Sequence, residues 1–207
     1  MDITNSYFTK ALQNDDASDG SEEVKISDSP YYILRNADDW EKFRQKVEEA
    51  KGEYDVNAIM AADFTVTTMV GESQYYRGTF RGNGHTLTVN IDNGSKTRTA
   101  PFRLVKASNF SDLHIVGSVK GGDNSAGFIG YIYDGNDVNI NAVWVSADIT
   151  TTESRLGGFV GSSGFTDIHG HNKITITNCR FDGSLNAPEG EEIARSEERR
   201  VGKECRS

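Results

Sequence analysis

Four stretches of this chain repeat one ten-residue arrangement of apolar and polar positions: residues 3–12 (ITNSYFTKAL), 110–119 (FSDLHIVGSV), 140–149 (INAVWVSADI) and 176–185 (ITNCRFDGSL). Position 1 is Ile or Phe, position 4 is Ser, Leu, Val or Cys, position 6 is Phe, Ile or Val, and position 10 is Leu, Val or Ile. Position 8 is Gly or Ala in the last three copies and Lys10 in the first. From position 4 to position 10 these residues recur every second place, the period at which a strand points side chains to one face. The three-residue step from position 1 to position 4 breaks that period and predicts a corner. One such strand cannot bury its apolar edge alone, so the recurrence predicts that the copies stack on each other.

A second element precedes the ten-residue one. Ala126-Gly127-Phe128-Ile129-Gly130 and Gly157-Gly158-Phe159-Val160-Gly161 are near copies, and Ala100-Pro101-Phe102-Arg103-Leu104 is a degenerate third. Gly on both sides of an apolar pair predicts a very short strand entered and left through positive-φ corners. The Phe of each copy stands 8, 12 and 17 residues ahead of the next ten-residue stretch (Phe102 to Phe110, Phe128 to Ile140, Phe159 to Ile176). One corner lengthens while the strands keep their pattern, as stacked repeats accommodate insertions.

Upstream of the repeats the period changes to that of a helix. Ala37, Trp40, Phe43, Val47 and Ala50 recur at three and four residues, Asn36 with Asp39 forms an N-terminal capping pair, and Gly52 supplies a stop. This predicts one helix over residues 37–50, placed to cover the open end of the stack, with Trp40 as a core anchor. Short strands are predicted at residues 31–34 and 58–66, then a strand, a Gly82-Asn83-Gly84 turn, and a strand carrying Leu87, Val89 and Ile91 inward.

Residues 195–207 (RSEERRVGKECRS) match in frame the translation of a common sequencing adapter and are set apart from the fold as non-biological. Their five basic and three acidic residues, taken from totals of 22 and 31, leave 17 and 28, so the net charge moves from −9 to −11. So acidic a chain repels nucleic acid and anionic membranes, and neither is an expected partner. No run of eighteen apolar residues is present, so membrane insertion is not expected either. Cys205 leaves with the tail, and Cys179, at position 4, is expected to be a small core residue. Residues 1–12 then form the closing strand of a preceding unit, 13–23 an acidic linker, 24–187 the main domain and 188–194 an exit linker. That order predicts tandem units of the same chain within a longer array.

The segment Tyr76-Arg77-Gly78-Thr79-Phe80-Arg81-Gly82-Asn83-Gly84-His85-Thr86-Leu87, the two Gly-Phe-x-Gly copies at 126–130 and 157–161, the Ile-x-Asn-type strands after them and the lead-in Ala62-Asp63-Phe64 resemble the bacterial GLUG-motif repeat proteins. The resemblance covers about residues 26–185 and departs from the pattern at residues 100–104, where the motif glycines are missing. It implies an all-β fold, a parallel β-solenoid (β-helix-like) with one N-terminal capping α-helix. It also implies a secreted or surface-anchored bacterial protein of adhesin-like type, located extracellularly or at the cell surface. No catalytic residue is implied.

Candidate chemistry is sparse. His85 follows the Gly-Asn-Gly turn and reads as a structural hydrogen-bonding residue. His169-Gly170-His171 lacks further ligands at zinc spacing, and Asp134-Gly135-Asn136-Asp137 lacks the spaced oxygens of a calcium loop, so no metal and no cofactor is expected. Asp112, Asp148 and Asp182 fall at positions 3, 9 and 7 and form no shared column for paired-carboxylate chemistry. Position 5 is outward and carries His114, Trp144 and Arg180, a candidate exposed column for a host or bacterial surface glycan or protein. Tyr131 and Tyr133, in the lengthening corner, are the next candidates. A non-catalytic module for adhesion, ligand binding or stalk spacing is therefore expected; the alternative is a fragment of a carbohydrate-active β-helix enzyme, a polysaccharide lyase or hydrolase.

Overall fold

The computed structural model describes residues 23–26, 29–153, 155–164, 171–187 and 192–194. The first ten-residue copy (3–12), all but the last residue of the acidic linker, His169 and the adapter-like tail lie outside the described residues. The described chain is mostly β, with one helix. Strands β1 (Glu23–Ile26) and β2 (Ser29–Leu34) pair antiparallel; helix α1 (Ala37–Ala50) follows. Then come β3 (Asn57–Met60), β4 (Phe64–Val66), β5 (Tyr76–Arg81), β6 (Thr86–Asp92), β7 (Phe102–Gly121), β8 (Ser125–Ala126), β9 (Ile129–Ile132) and β10 (Val138–Thr151). The last strands are β11 (Arg155–Gly157), β12 (Val160–Ser163), β13 (Ile174–Thr177), β14 (Arg180–Phe181), β15 (Leu185–Asn186) and β16 (Glu192–Ala194).

Every described pairing other than β1 with β2 is parallel. The main sheet runs β1-β2-β3-β5-β7-β10-β13, with β4, β6, β9, β12, β14 and β15 joined to it, and β8, β11 and β16 form a second, three-stranded sheet. The ten-residue copies stand in register: Phe110 aligns with Ile140 and Ile140 with Ile176, Ile115 with Val145 and Val145 with Phe181, Val119 with Ile149 and Ile149 with Leu185. Position 3 is the corner. Asp112, Ala142 and Asn178 have φ of 52°, 53° and 54°, and the left-handed residue turns the strand so that positions 1 and 4 both face inward. In β10, Ile140, Val145, Ala147 and Ile149 are wholly buried. Each large apolar side chain so buried contributes about 1.5–3 kcal/mol relative to exposure.

Aromatic rings fill the opening part of the stack. Trp40 of α1 meets Phe102 at 5.7 Å and Phe43 meets Tyr76 at 5.7 Å; Phe102 meets Phe110 at 4.9 Å, and Phe110 meets Phe128 at 4.8 Å. The helix begins as expected, with the Asn36 side chain accepting from the Asp39 amide at 3.0 Å, and it buries Trp40, Phe43, Val47 and Ala50. Ala37 is exposed, so the apolar stripe starts one turn later than the pattern suggests.

Three expectations need correction. The strand expected over 58–66 is two strands, β3 and β4, broken at Ala61–Asp63, where the chain turns as it does at the corners below. In the Gly-Phe-x-Gly motif the first Gly and the Phe form a bend, between β8 and β9 and between β11 and β12, while Ile129-Gly130 and Val160-Gly161 open the short strands β9 and β12, and the motif's glycines have no positive φ. They are needed because backbones come close: a Cβ on Gly161 would lie 1.9 Å from the Asn124 carbonyl oxygen. The degenerate copy is displaced by one residue, since Phe102 aligns with Ile129 rather than Phe128.

Gly117, at position 8, has φ +107°, and a Cβ there would lie 2.1 Å from the Val89 carbonyl oxygen. Gly117→Ala is therefore expected to lower stability by about 2–3 kcal/mol. Ala142→Gly, which relieves a left-handed alanine, raises it by about 0.5–1 kcal/mol. Equilibrium guanidinium unfolding of both variants measures the contrast.

Candidate functional site

Position 5 falls on adjacent strands: His114 of β7 aligns with Trp144 of β10, and Trp144 with Arg180 of β14. At the parallel-strand spacing of about 4.8 Å, the three outward side chains form one column. The His114 and Trp144 rings stack at 4.5 Å between centroids and 20° between planes. The Arg180 guanidinium lies over the same indole, 4.9 Å from its centroid. Because β7 and β14 flank β10 on opposite sides, the two neighbours cover opposite faces of the indole. Trp144 is 40% exposed; what reaches solvent is its edge.

The adjoining position-7 column completes the arrangement. Asp182 Oδ1 accepts from Trp144 Nε1 at 2.7 Å and from Ser146 Oγ at 2.7 Å, and Asp182 Oδ2 is 3.0 Å from Arg180 Nη2. His114 Nε2 lies 3.1 Å from Ser146 Oγ. The hydrogen bond from Ser146, then that from Trp144, and further the Arg180 charge hold the Asp182 carboxyl below the usual carboxylate value. The column is thus a self-paired set of aromatic, cationic and anionic groups.

Tyr131 and Tyr133 sit elsewhere. β9 pairs with the opening part of β7, ahead of the Asp112 corner, whereas His114 lies beyond that corner. The Arg98 guanidinium is 4.1 Å from the Tyr131 ring centroid, and Tyr131 Oη donates to the buried Asp134 at 3.2 Å. Tyr133 packs on Tyr75 with centroids 4.7 Å apart. Burial, followed by Tyr133 for Tyr75 and by Asp134 for Tyr131, pushes both hydroxyls above the usual tyrosine value. The two sets are separate candidate surfaces.

The other sequence candidates resolve into local structure. His85 Nδ1 lies 2.9 Å from Asp63 Oδ1, which also accepts from the Thr86 amide at 2.9 Å. That amide, then the His85 ring, holds the Asp63 carboxyl below its usual value. Asn136 Nδ2 donates to the carbonyls of Tyr133 and Asp134, so the Asp134–Asp137 loop is a closed turn. Asp148 accepts from Ser184 Oγ at 2.6 Å. Among the described residues, no group of three or more His, Cys, Asp or Glu stands together as a metal site, and no helix is long and apolar enough to cross a membrane. His171 is exposed. Cys179 is buried, its Sγ accepting from the Val143 amide at 3.4 Å, in keeping with a core role.

Sequence reasoning missed Asp182 and Ser146 as members of the site. The signal was available, since both occupy position 7, one place along the same face from Trp144 and Arg180. Comparison of the chain with family models, with curated proteins and with solved structures finds no match in any of the three.

A carboxyl lowered in the folded state stabilises above its ordinary value and loses that contribution as the pH falls through the folded one. In a His114→Gln background, the Trp144 part of the fluorescence, taken as the difference made by Trp144→Phe, is therefore expected to hold constant from pH 7 down to the usual carboxylate value of 3.8. It changes only at lower pH. Asp182→Asn removes that acid transition.

Proposed function

We propose that the chain is a non-catalytic β-solenoid module of the GLUG-repeat type, part of a secreted or surface-anchored bacterial protein. It serves adhesion, binding a surface glycan or protein along the His114–Trp144–Arg180 column. The observation that carries this reading is the column itself: three in-register strands present Arg, His and an exposed Trp edge side by side, residue types that act as contact anchors when a partner covers them. The parallel stacking of ten-residue strands and the helix beside the first aromatic layers support the solenoid and its cap. The exposed acids support the absence of catalysis, since Asp63, Asp148 and Asp182 each serve a neighbouring side chain or amide.

The indole faces are already filled, so a sugar ring does not stack on Trp144; a ligand meets the indole edge, the outer side of Arg180 and the rim of His114. The same saturation favours a second reading, a stalk spacer in which the column only stiffens the stack. Glycan arrays and binding to bacterial or host cells, with wild type beside Trp144→Ala and Arg180→Ala, separate the two. Adhesion through the column predicts at least tenfold weaker binding in both variants, the loss of about 1.4 kcal/mol or more. Binding unchanged in both variants removes the column as the contact surface.

A further inference from the structure

The hydrogen bonds around two histidines fix which nitrogen of each ring carries the proton. Ser146 Oγ stands between His114 Nε2 and Asp182 Oδ1, at 3.1 Å and 2.7 Å. Asp182, its carboxyl held low, is an anion and only accepts, so the one hydroxyl proton of Ser146 goes to it. Ser146 then accepts from His114, and the neutral imidazole carries its proton on Nε2. At His85 the same reasoning gives the other form. Asp63, also held low, accepts from the Thr86 amide and lies 2.9 Å from His85 Nδ1, so the proton of the neutral ring sits on Nδ1.

Each neutral ring is left with one bare lone pair, on His114 Nδ1 and on His85 Nε2. Among the described residues neither nitrogen has a partner, and the Thr86 hydroxyl has none either. All three residues are half-buried, yet none of these atoms is sealed from solvent. The buried side-chain nitrogens and oxygens without a partner are instead Trp40 Nε1, Tyr76 Oη and Arg103 Nε. Thr86 of β6 aligns with His114 of β7, the His114 amide donates to the His85 carbonyl at 3.1 Å, and Trp144 follows on the next strand. Two accepting nitrogens and a hydroxyl therefore stand beside the exposed indole edge. Water satisfies such groups in the free protein, and a ligand hydroxyl replaces it.

We propose that His85, Thr86 and His114 form, with the Trp144 edge, a hydrogen-bonding subsite for the hydroxyls of a neutral glycan. This rests on the column as the contact surface and names the partner that the surface takes. A sugar presents neighbouring hydroxyls, each of which donates to an imidazole lone pair. An acidic glycan brings carboxylates, which only accept, toward two accepting nitrogens and the Asp63 and Asp182 carboxylates, on a chain of net charge −9. A protein partner calls for an apolar centre, whereas beyond this row β6 and β7 present Thr88, Asn90 and Ser118 outward.

Binding of the full chain to immobilised neutral polysaccharides (mannan, β-glucan, xylan, starch) and acidic ones (polygalacturonate, hyaluronate) at pH 8 tests the proposal. At least one neutral polymer is expected to bind about tenfold more tightly than either acidic one. His114→Phe keeps a ring to stack on Trp144 but has no acceptor, and it lowers that binding about tenfold with unchanged circular dichroism. His114→Gln loses the stack but keeps an acceptor, and it retains more binding than His114→Phe. Ring 15N spectra of the unbound chain at pH 8 show His114 protonated at Nε2 and His85 at Nδ1. No binding to any neutral polymer, tighter binding to an acidic one, the opposite tautomer at either ring, or full binding by a folded His114→Phe overturns the proposal. Where His114→Phe binds fully and Trp144→Ala does not, the column stands as the contact surface and the subsite alone falls. Where both bind fully, both readings fall.

Discussion

The parallel backbone ladder between successive ten-residue strands is the interaction on which the rest of the molecule depends. It keeps β7, β10 and β13–β15 in one register, and the register decides which side chains meet. Shifting one strand by a single residue would turn every buried position outward. What prevents that shift is the corner at position 3. Three left-handed residues, Asp112, Ala142 and Asn178, stand side by side and fix where each strand turns. Position 8 adds a second constraint in two copies, because Gly117 meets the Val89 carbonyl and Gly183 the Ala147 carbonyl too closely for a side chain.

Core and surface both follow from this alignment. Phe110, Ile140 and Ile176 form one inward column, and the ring cluster of Phe102, Phe110 and Phe128 links the repeats to Trp40 and Phe43 of the helix. Outward, the same spacing that sets the ladder brings His114, Trp144 and Arg180 into stacking distance. The residues just before position 1 behave likewise, with Asn139 Nδ2 donating to Asn109 Oδ1 at 2.9 Å. A repeat that specifies its own stacking therefore specifies a ladder on each of its faces. The proposed contact surface is one of these ladders.

Much of this was legible in the sequence, because strand period, helix period and capping are local signals. The register of the ten-residue copies, the helix over Ala37–Ala50 and the position-5 column all follow from spacing. The misread features share a different cause. A glycine required by positive φ and a glycine required by close backbone approach look the same in sequence, so Gly130 and Gly161 suggested the wrong geometry. The displacement of Phe102 by one residue had no local mark, since Ala100-Pro101 lacks the glycines that fix the other copies. Asp182 was judged as an isolated acid, and only the neighbouring strand reveals that it serves Trp144 and Ser146. Pairings between repeats are non-local, and a single copy does not contain them.

In-register parallel stacking is tested most directly by paired cysteines at the exposed place just before position 1, in a background without Cys179 and Cys205. Asn109→Cys with Asn139→Cys places two thiols on aligned residues about 4.8 Å apart, within disulfide reach. Ser111→Cys with Asn139→Cys offsets them by two residues, to a Cα separation of about 8 Å, beyond that reach. Near-complete intramolecular oxidation of the aligned pair and little of the offset pair is the expected result. Efficient closure of the offset pair, or failure of the aligned pair in a folded protein, would contradict the register from which core and column derive.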